Sequence, residues 1–264
     1  GPVIQKFKTY DFSTKDVGAY VVRCSKPFKL TRAQGYAFSY NGSLYIRNLG
    51  GELEAVNVID LKSYLRGVVP SEVYRDWPTE TLKTQAVAAR TYAVYHLVFA
   101  RRFASERIWD VDDTINYQAY TGISQISERT DSAIDATEGQ ILTFRGNVIQ
   151  AFYHADSGGQ TEDALAVWSQ AIPFTVQRPE APEVDVAKTV WEKSYSLNAL
   201  EKELRDAGYL EGGRGLKSIV VPVVGRSPSG RVKTLAVLDT AGNHKSLPLS
   251  LFRRFVGQLP SPLF

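Results

Sequence analysis

The chain has no methionine, one cysteine and three histidines in 264 residues. A lone Cys24 cannot close an internal disulfide, and it lacks the neighbours of a cysteine-built zinc site. With only His96, His154 and His244 available, a histidine metal cluster is not expected either. No run of about 18 apolar residues occurs, so nothing reads as a membrane-spanning helix. Like charges form no block, and a net charge of +3 is too small to argue for nucleic acid. It would suit an anionic polymer such as cell wall. Repeats and low-complexity tracts are lacking. No signal peptide is visible after Gly1-Pro2. A chain that opens this way without methionine is read as one whose leader or anchor has been removed.

The composition that remains, 44% hydrophobic and 22% charged, is that of a globular protein with ample core. The first 70 residues read as strands: Tyr20 to Val22, Tyr36 to Tyr40, Ser43 to Ile46 and Ala55 to Ile59. Asn41-Gly42 signals a hairpin between the second and third of these, and Gly50-Gly51 a further turn. After Pro78 the period changes. Leu82, Ala86, Ala89, Ala93 and Leu97 recur every three or four residues, which predicts a helix to about Ala100. Glu72 is placed in the loop that enters this helix. A short helix is expected over 128–138, ended by Gly139, and another over 196–208, with Leu197, Leu200 and Leu204 on one face. Strands are expected at 141–144 and 148–153, and at 219–224 and 231–238 around Ser227-Pro-Ser-Gly230. Pro173 to Pro182 reads as an internal boundary or a long surface loop. Short, mostly antiparallel strands with a few helices define an α+β fold.

Four segments could carry chemistry. Glu72 lies between Val68-Val69-Pro70-Ser71 and Val73, Tyr74 and Trp77. Poor solvation among such neighbours favours the protonated carboxyl that a glycosidase acid needs, although a surface or helix-end glutamate fits the same pattern. Lys83 and Arg90, and beside them Gln85 and Tyr92, form two polar lines on an alanine-rich helix. They could hold sugar hydroxyls or simply face solvent. His154, Ser157, Gly158, Gly159 and Thr161 follow a strand and offer donors, acceptors and close backbone approach, or merely a tight turn. No G-x-S-x-G elbow accompanies them. Asp110 to Tyr120 resembles a calcium loop only loosely and is read as presenting Gln118 and Tyr120 to a sugar.

In this order the segments resemble the SpoIID/LytB family, named for stage II sporulation protein D. The resemblance rests on Tyr64-Leu-Arg-Gly-Val-Val-Pro-Ser-Glu72, Trp77-Pro78, Leu82-Lys-Thr-Gln-Ala-Val-Ala-Ala-Arg-Thr-Tyr-Ala93, Gln118-Ala-Tyr-Thr-Gly122, Ala136-Thr-Glu-Gly139 and Phe152 to Thr161. Ser229-Gly-Arg-Val232 and Leu259 to Phe264 also fit. It covers roughly residues 50–264, so 51–264 is taken as the catalytic domain and 1–50 as a β-rich part integral to it. The resemblance implies a groove-type lytic transglycosylase. Such an enzyme cleaves the bond between N-acetylmuramic acid and N-acetylglucosamine in peptidoglycan, preferably on strands stripped of peptides, and leaves 1,6-anhydro ends. Glu72 inherits the catalytic role, and Arg90, Tyr92, His154, Ser157 and Thr161 inherit places in the groove.

Many relatives carry His and Cys just before the Q-x-Y segment, where a zinc is bound. Here Asn116 and Tyr117 stand there, so no metal and no cofactor are expected, with the tyrosine packing in the metal's place. The expected partners are glycan strands and an upstream N-acetylmuramyl-L-alanine amidase. The protein is expected to be a monomer exported to the periplasm or cell envelope. A hydrolytic muramidase using Asp112, Asp113 or Asp156 as second carboxylate, and a non-catalytic amidase enhancer, stay open as alternatives.

Overall fold

The computed structural model describes residues 18–31, 35, 37–49, 53–103, 107–113, 117–154, 156–180, 191–257 and 259–264. The chain divides into two compact units, Gly1–Tyr153 and His154–Phe264. Both are mixtures of helices and short antiparallel strands, so the architecture is α+β.

In the first unit, β1 (Gly18–Arg23), β4 (Ser43–Asn48) and β5 (Leu53–Val58) form one antiparallel sheet in the order β1-β4-β5. Strands β2 (Phe28–Thr31) and β3 (Ala37–Tyr40) form a separate pair. The hairpin expected across Asn41-Gly42 is therefore not formed, because β3 and β4 lie in different sheets. Asn57 Nδ2 donates to the Asn41 carbonyl at 2.8 Å, and a Cβ on Gly42 would come within 2.4 Å of the Val58 carbonyl oxygen. Asn41-Gly42 is thus a corner pressed against β5. Its positive φ of 93° suits glycine for that reason as much as it would suit a hairpin. Tyr36 and Gly50-Gly51 lie outside the described residues.

Three helices complete this unit: α1 (Leu61–Glu72), α2 (Thr79–Phe103) and α3 (Glu128–Ala136), each packed on the other two. Helix α1 corrects the sequence reading, which placed Glu72 in a loop. Asp60 caps its start by accepting from the Ser63 N–H at 2.9 Å. Tyr64, Leu65, Val68 and Val69 then recur at helical spacing and are buried against Ala86, Ala89, Ala93 and Ile134. Pro70 in the last turn costs one backbone hydrogen bond but does not end the helix. Ser71 Oγ donates to the Gly67 carbonyl at 2.7 Å, and the Val73 N–H closes on the Val69 carbonyl at 3.2 Å. Burial of four apolar side chains, each worth about 1.5–3 kcal/mol, outweighs that single loss.

After α3, Gly139 turns the chain with φ of 75°. The next hairpin is shorter than expected. Strands β6 (Thr143–Phe144) and β7 (Asn147–Val148) flank a two-residue turn, Arg145-Gly146, both with positive φ. Beyond Val148 the chain leaves the ladder and its side chains turn to tertiary partners.

The second unit holds α4 (Ala164–Trp168), α5 (Leu197–Asp206), β8 (Leu216–Val220), β9 (Thr234–Asp239), β10 (His244–Pro248) and α6 (Leu249–Phe255). Its sheet runs β10-β9-β8. Every second residue of β9 is buried, with Leu235 and Val237 in a core shared with Leu204, Leu247 and Phe252. Leu197 is exposed, so the α5 stripe is narrower than expected. Strand β8 ends at Val220, short of the expected Val224, because Pro222 opens a 3-10 turn over Val223–Gly225. Residues 173–180 lie within this unit, and Pro182 lies outside the described residues.

Gly67 is where α1 meets the loop carrying Tyr120. A Cβ there would stand 2.4 Å from the Gly122 carbonyl oxygen and 2.6 Å from Tyr120 Cε2. Gly67→Ala gains about 1 kcal/mol of helix propensity but forces a backbone contact costing about 1–3 kcal/mol or more. A net loss of stability is expected in urea denaturation. A more stable variant would show that the contact yields freely.

Candidate functional site

Glu72 is the last residue of α1 and is half-buried. A carboxylate at a helix C-terminus finds carbonyls, not donors, on its own helix. Its backbone donor comes instead from the Q-x-Y segment, where the Ala119 N–H bonds Oε1 at 2.7 Å. Burial first, and the nearby Glu72 charge after it, keep the Tyr153 hydroxyl protonated. Among the described residues no lysine or arginine pairs with Glu72. A half-buried carboxyl held by one backbone amide, beside a phenol and without a neutralising cation among the described residues, has the makeup of a general acid and base.

Gln118 builds the wall behind it. The residue is 1% exposed, and its amide is fully committed. Nε2 donates to the Ala89 carbonyl at 3.3 Å and to the Tyr153 oxygen at 3.1 Å, while Oε1 accepts from the Tyr64 hydroxyl at 3.3 Å. Tyr120 stacks between Tyr64 and Tyr40 and donates to Asn57 Oδ1 at 2.8 Å. Gln118 and Tyr120 therefore sit within the wall rather than being offered from it.

The α2 candidates divide in the same way. Arg90 is 5% exposed, and its guanidinium closes the end of α3. It donates to the Ile134 and Gln140 carbonyls at 3.1 Å each and to Thr137 Oγ1. Tyr92 is buried, with its ring against His96, Phe152 and Tyr153 and its hydroxyl bonded to Gln150. Lys83 forms an exposed pair with Glu80 at 2.7 Å. Gln85 alone among these four keeps a buried donor, Nε2, without a partner among the described residues.

Two tyrosines of the wall, Tyr64 and Tyr153, are not among the residues the sequence singles out. Tyr64 was quoted only as the start of a motif and Tyr153 only as the end of a strand. No spacing rule links either to Gln118, because the contact exists only after α1, the Q-x-Y loop and the segment after β7 have packed.

His154, Ser157, Gly158, Gly159 and Thr161 belong to the second unit. His154 is exposed. Ser157 is buried, its carbonyl accepting from Arg231 Nη2 at 2.6 Å and its Oγ from the Gly159 N–H. The Gly158 N–H is held by Asp156 Oδ1. Thr161 Oγ1 donates to the Val176 carbonyl and accepts from the Arg178 N–H. A network unseen in the sequence supports this loop. Glu162 receives the Ser227 hydroxyl and, at 2.6 Å, that of Ser229, and Arg231 binds Ser229 and the Gln160 carbonyl. Burial pushes the Glu162 carboxyl up, but these hydroxyls and the Asp163 N–H together hold it below the usual carboxylate range.

Where the family resemblance places a zinc, Asn116 lies outside the described residues and Tyr117 packs on His96 and Trp109. Arg107 covers the Trp109 ring at 4.2 Å and donates to the Tyr117 hydroxyl at 3.0 Å. His96 Nε2 is engaged with Gln150 at 3.3 Å. Indole, phenol and guanidinium are not a zinc ligand set, so these residues do not fit that ion. Among the described residues no group of three or more His, Cys, Asp or Glu could hold a metal.

Residues 49–144, which include Glu72 and Gln118, match the family described as SpoIID: Stage II sporulation protein. Stage II sporulation protein D of Bacillus subtilis is 30% identical over 200 residues, which make up 70% of this chain and 55% of that protein. The amidase enhancer of Bacillus subtilis is 31% identical over 140 residues, 53% of this chain and 18% of that protein. An uncharacterized protein of Brachyspira hyodysenteriae is 38% identical over 135 residues, 51% of this chain and 36% of that protein. The chain carries a domain of the SpoIID/LytB family, and it spans between 18% and 55% of these curated relatives.

Burial, first among the causes, raises the Tyr64, Tyr120 and Tyr153 hydroxyls well above the ordinary value of 10.0. The unfolded chain therefore loses these protons before the folded one does. Their contribution to stability is complete below about pH 10 and is lost as pH rises past it. Thermal melts followed by tyrosinate absorbance are expected to show a steep fall in melting temperature beyond that pH. Phenols that titrate in the native state at their ordinary value would contradict this packing.

Proposed function

We propose that the chain is a peptidoglycan lytic transglycosylase that works at the cell envelope, with Glu72 as its acid and base. The observation that carries this reading is the placement of Glu72, half-buried and held by the Ala119 N–H without a paired cation among the described residues. The SpoIID-family match over the same residues supports a cell-wall role. Protonated Glu72 donates to the glycosidic oxygen as the bond from C1 of N-acetylmuramic acid breaks. The 6-hydroxyl of the same sugar forms the new bond to C1, and its proton passes to the Glu72 carboxylate. The acid is regenerated, no water is consumed, and a 1,6-anhydro ring results. An internal nucleophile is why one carboxylate suffices where hydrolases use two. Gln85, half-buried with its Nε2 unpartnered among the described residues, is the α2 candidate not committed to another group. Gln118, Tyr120, Arg90 and Tyr92 act by holding the wall.

Two observations favour other readings. Asp112 acts electrostatically on Tyr64 and Tyr92, as Glu72 does, so it is the carboxylate a hydrolytic muramidase would use. One relative is named an amidase enhancer, which suits a glycan-binding role beside an amidase. Purified monomeric chain incubated alone with intact and peptide-stripped glycan distinguishes the three by product mass. Anhydro ends are expected, preferentially from stripped strands. Products one water heavier would mean hydrolysis, and no products would mean an enhancer. Glu72→Gln retains the Ala119 bond and is expected to bind glycan normally but cleave at least about 100-fold more slowly. Cleavage at the wild-type rate would sink the assignment.

A further inference from the structure

We infer that the open edge of β5 takes, as an added strand, an extended peptide segment of a partner protein, built of apolar and basic residues. The inference goes beyond the glycan reading and does not depend on Glu72. Strand β5 ends its sheet, and among the described residues no strand pairs with its other edge. A cavity of about 640 Å3 lies against it, within the range of small-ligand sites. Every residue lining this cavity belongs to the first unit. Glu54 through Val58 all line it without a gap. Side chains of a strand alternate between faces, so a space that meets each successive residue meets the strand's edge. The opposite walls are Ala93, Val94 and Leu97 of α2 and the segment 108–113. The backbone phase also fits. A Cβ on Gly42 would come within 2.4 Å of the Val58 carbonyl oxygen, so Val58 turns its backbone toward β4. Backbone groups alternate sides along an antiparallel strand, so Ala55 and Asn57 turn theirs to the open edge.

The lining selects the chemistry of the occupant. It holds four carboxylates, Glu54, Asp110, Asp112 and Asp113, and no lysine, arginine or histidine among the described residues. Glu54 is offset by Arg47, and Arg107 spends its charge on the Trp109 ring and the Tyr117 hydroxyl. The three aspartates therefore give the cavity a negative sign, in a chain whose net charge is +3. Most of the remaining lining is aliphatic, and Val58 and Leu61 stay 53% and 39% exposed. Apolar surface left open beside an unpaired strand edge marks a place for a partner chain. Glycan suits this cavity less well. Asn57 is the one amide side chain in the lining, and it is committed, Nδ2 to the Asn41 carbonyl and Oδ1 to the Tyr120 hydroxyl. Sugar hydroxyls set against aliphatic walls lose hydrogen bonds to water without replacing them. An added strand finds main-chain partners on β5, apolar walls for alternate side chains and carboxylates for its cations.

Isothermal titration calorimetry of the purified chain with a capped valine–lysine hexapeptide, as long as β5, tests this. Saturable binding is expected, at least about 10-fold tighter than that of the valine–glutamate counterpart and weaker as salt is raised. N-methylation of alternate amides removes the donors along one side of the peptide. One of the two possible sets is expected to weaken binding about threefold or more, and the other to leave it unchanged. On the protein, Ala55→Pro removes a backbone donor from the open edge, where a strand tolerates proline, and is expected to weaken binding about threefold or more. Asp110→Asn, at an exposed position, is expected to weaken it about twofold or more at low salt. Circular dichroism checks folding. Should Ala55→Pro not fold, the methylated peptides and Asp110→Asn carry the test. The inference is overturned if the lysine peptide does not saturate, if the glutamate peptide binds equally, or if both methylated sets bind like the parent. Binding that the folded variants leave unchanged overturns it too, because the peptide then sits elsewhere. An N-acetylglucosamine tetramer that binds where the lysine peptide does not would make the cavity a sugar subsite instead. None of these readouts uses glycan cleavage, so the functional reading stands or falls separately.

Discussion

The Gln118 amide has three protein partners drawn from three separate stretches of chain: the Tyr64 hydroxyl of α1, the Ala89 carbonyl of α2 and the Tyr153 hydroxyl. Burying an amide costs several kcal/mol unless its hydrogen bonds are satisfied, so the three stretches can close on Gln118 only in the arrangement that satisfies it. The next residue, Ala119, then has its N–H aimed at Glu72. The position of the Glu72 carboxyl is thus a by-product of a buried polar group's need for partners. A leucine in place of Gln118 could fill the space, but it would say nothing about where Glu72 points.

The same logic separates residues that hold from residues that touch. Arg90 is committed to the end of α3 and Thr161 to the backbone at Val176 and Arg178. Each carries a side chain that a sequence reader associates with ligands, yet each spends its donors inside the protein. Buried polar groups in a small α+β unit are more often its joints than its contacts. Gln85 Nε2 is an exception, buried without a partner among the described residues, and His154 is exposed. In the second unit, Glu162 plays the part that Gln118 plays in the first, gathering Ser227 and Ser229 and, through them, Arg231.

Much of the fold was legible. The alanine stripe of α2, the stop at Gly139 and the helix opening at Ser196 each follow from local rules that the structure obeys. The failures share one cause. The sequence reading places Glu72 in a loop, but α1 runs to it through Gly67 and Pro70, because its buried stripe outweighs one lost bond and because only glycine fits against Gly122. Asn41-Gly42 has hairpin chemistry but serves as a corner, because β5 supplies the partner that Asn41 would otherwise find across a hairpin. In each case a tertiary contact overrode a local preference worth about 1–3 kcal/mol.

The amino-acid sequence by itself determined the α+β class, the helix face of α2, the family resemblance and the choice of Glu72, because these rest on period and on the order of motifs along the chain. Only the tertiary structure decided that Glu72 ends a helix, that the Ala119 N–H holds it, and that Gln118 is committed inside the protein. Those facts depend on which donor meets which acceptor across distant segments. Hydrogen bonds a few ångströms long leave no periodic trace in a sequence.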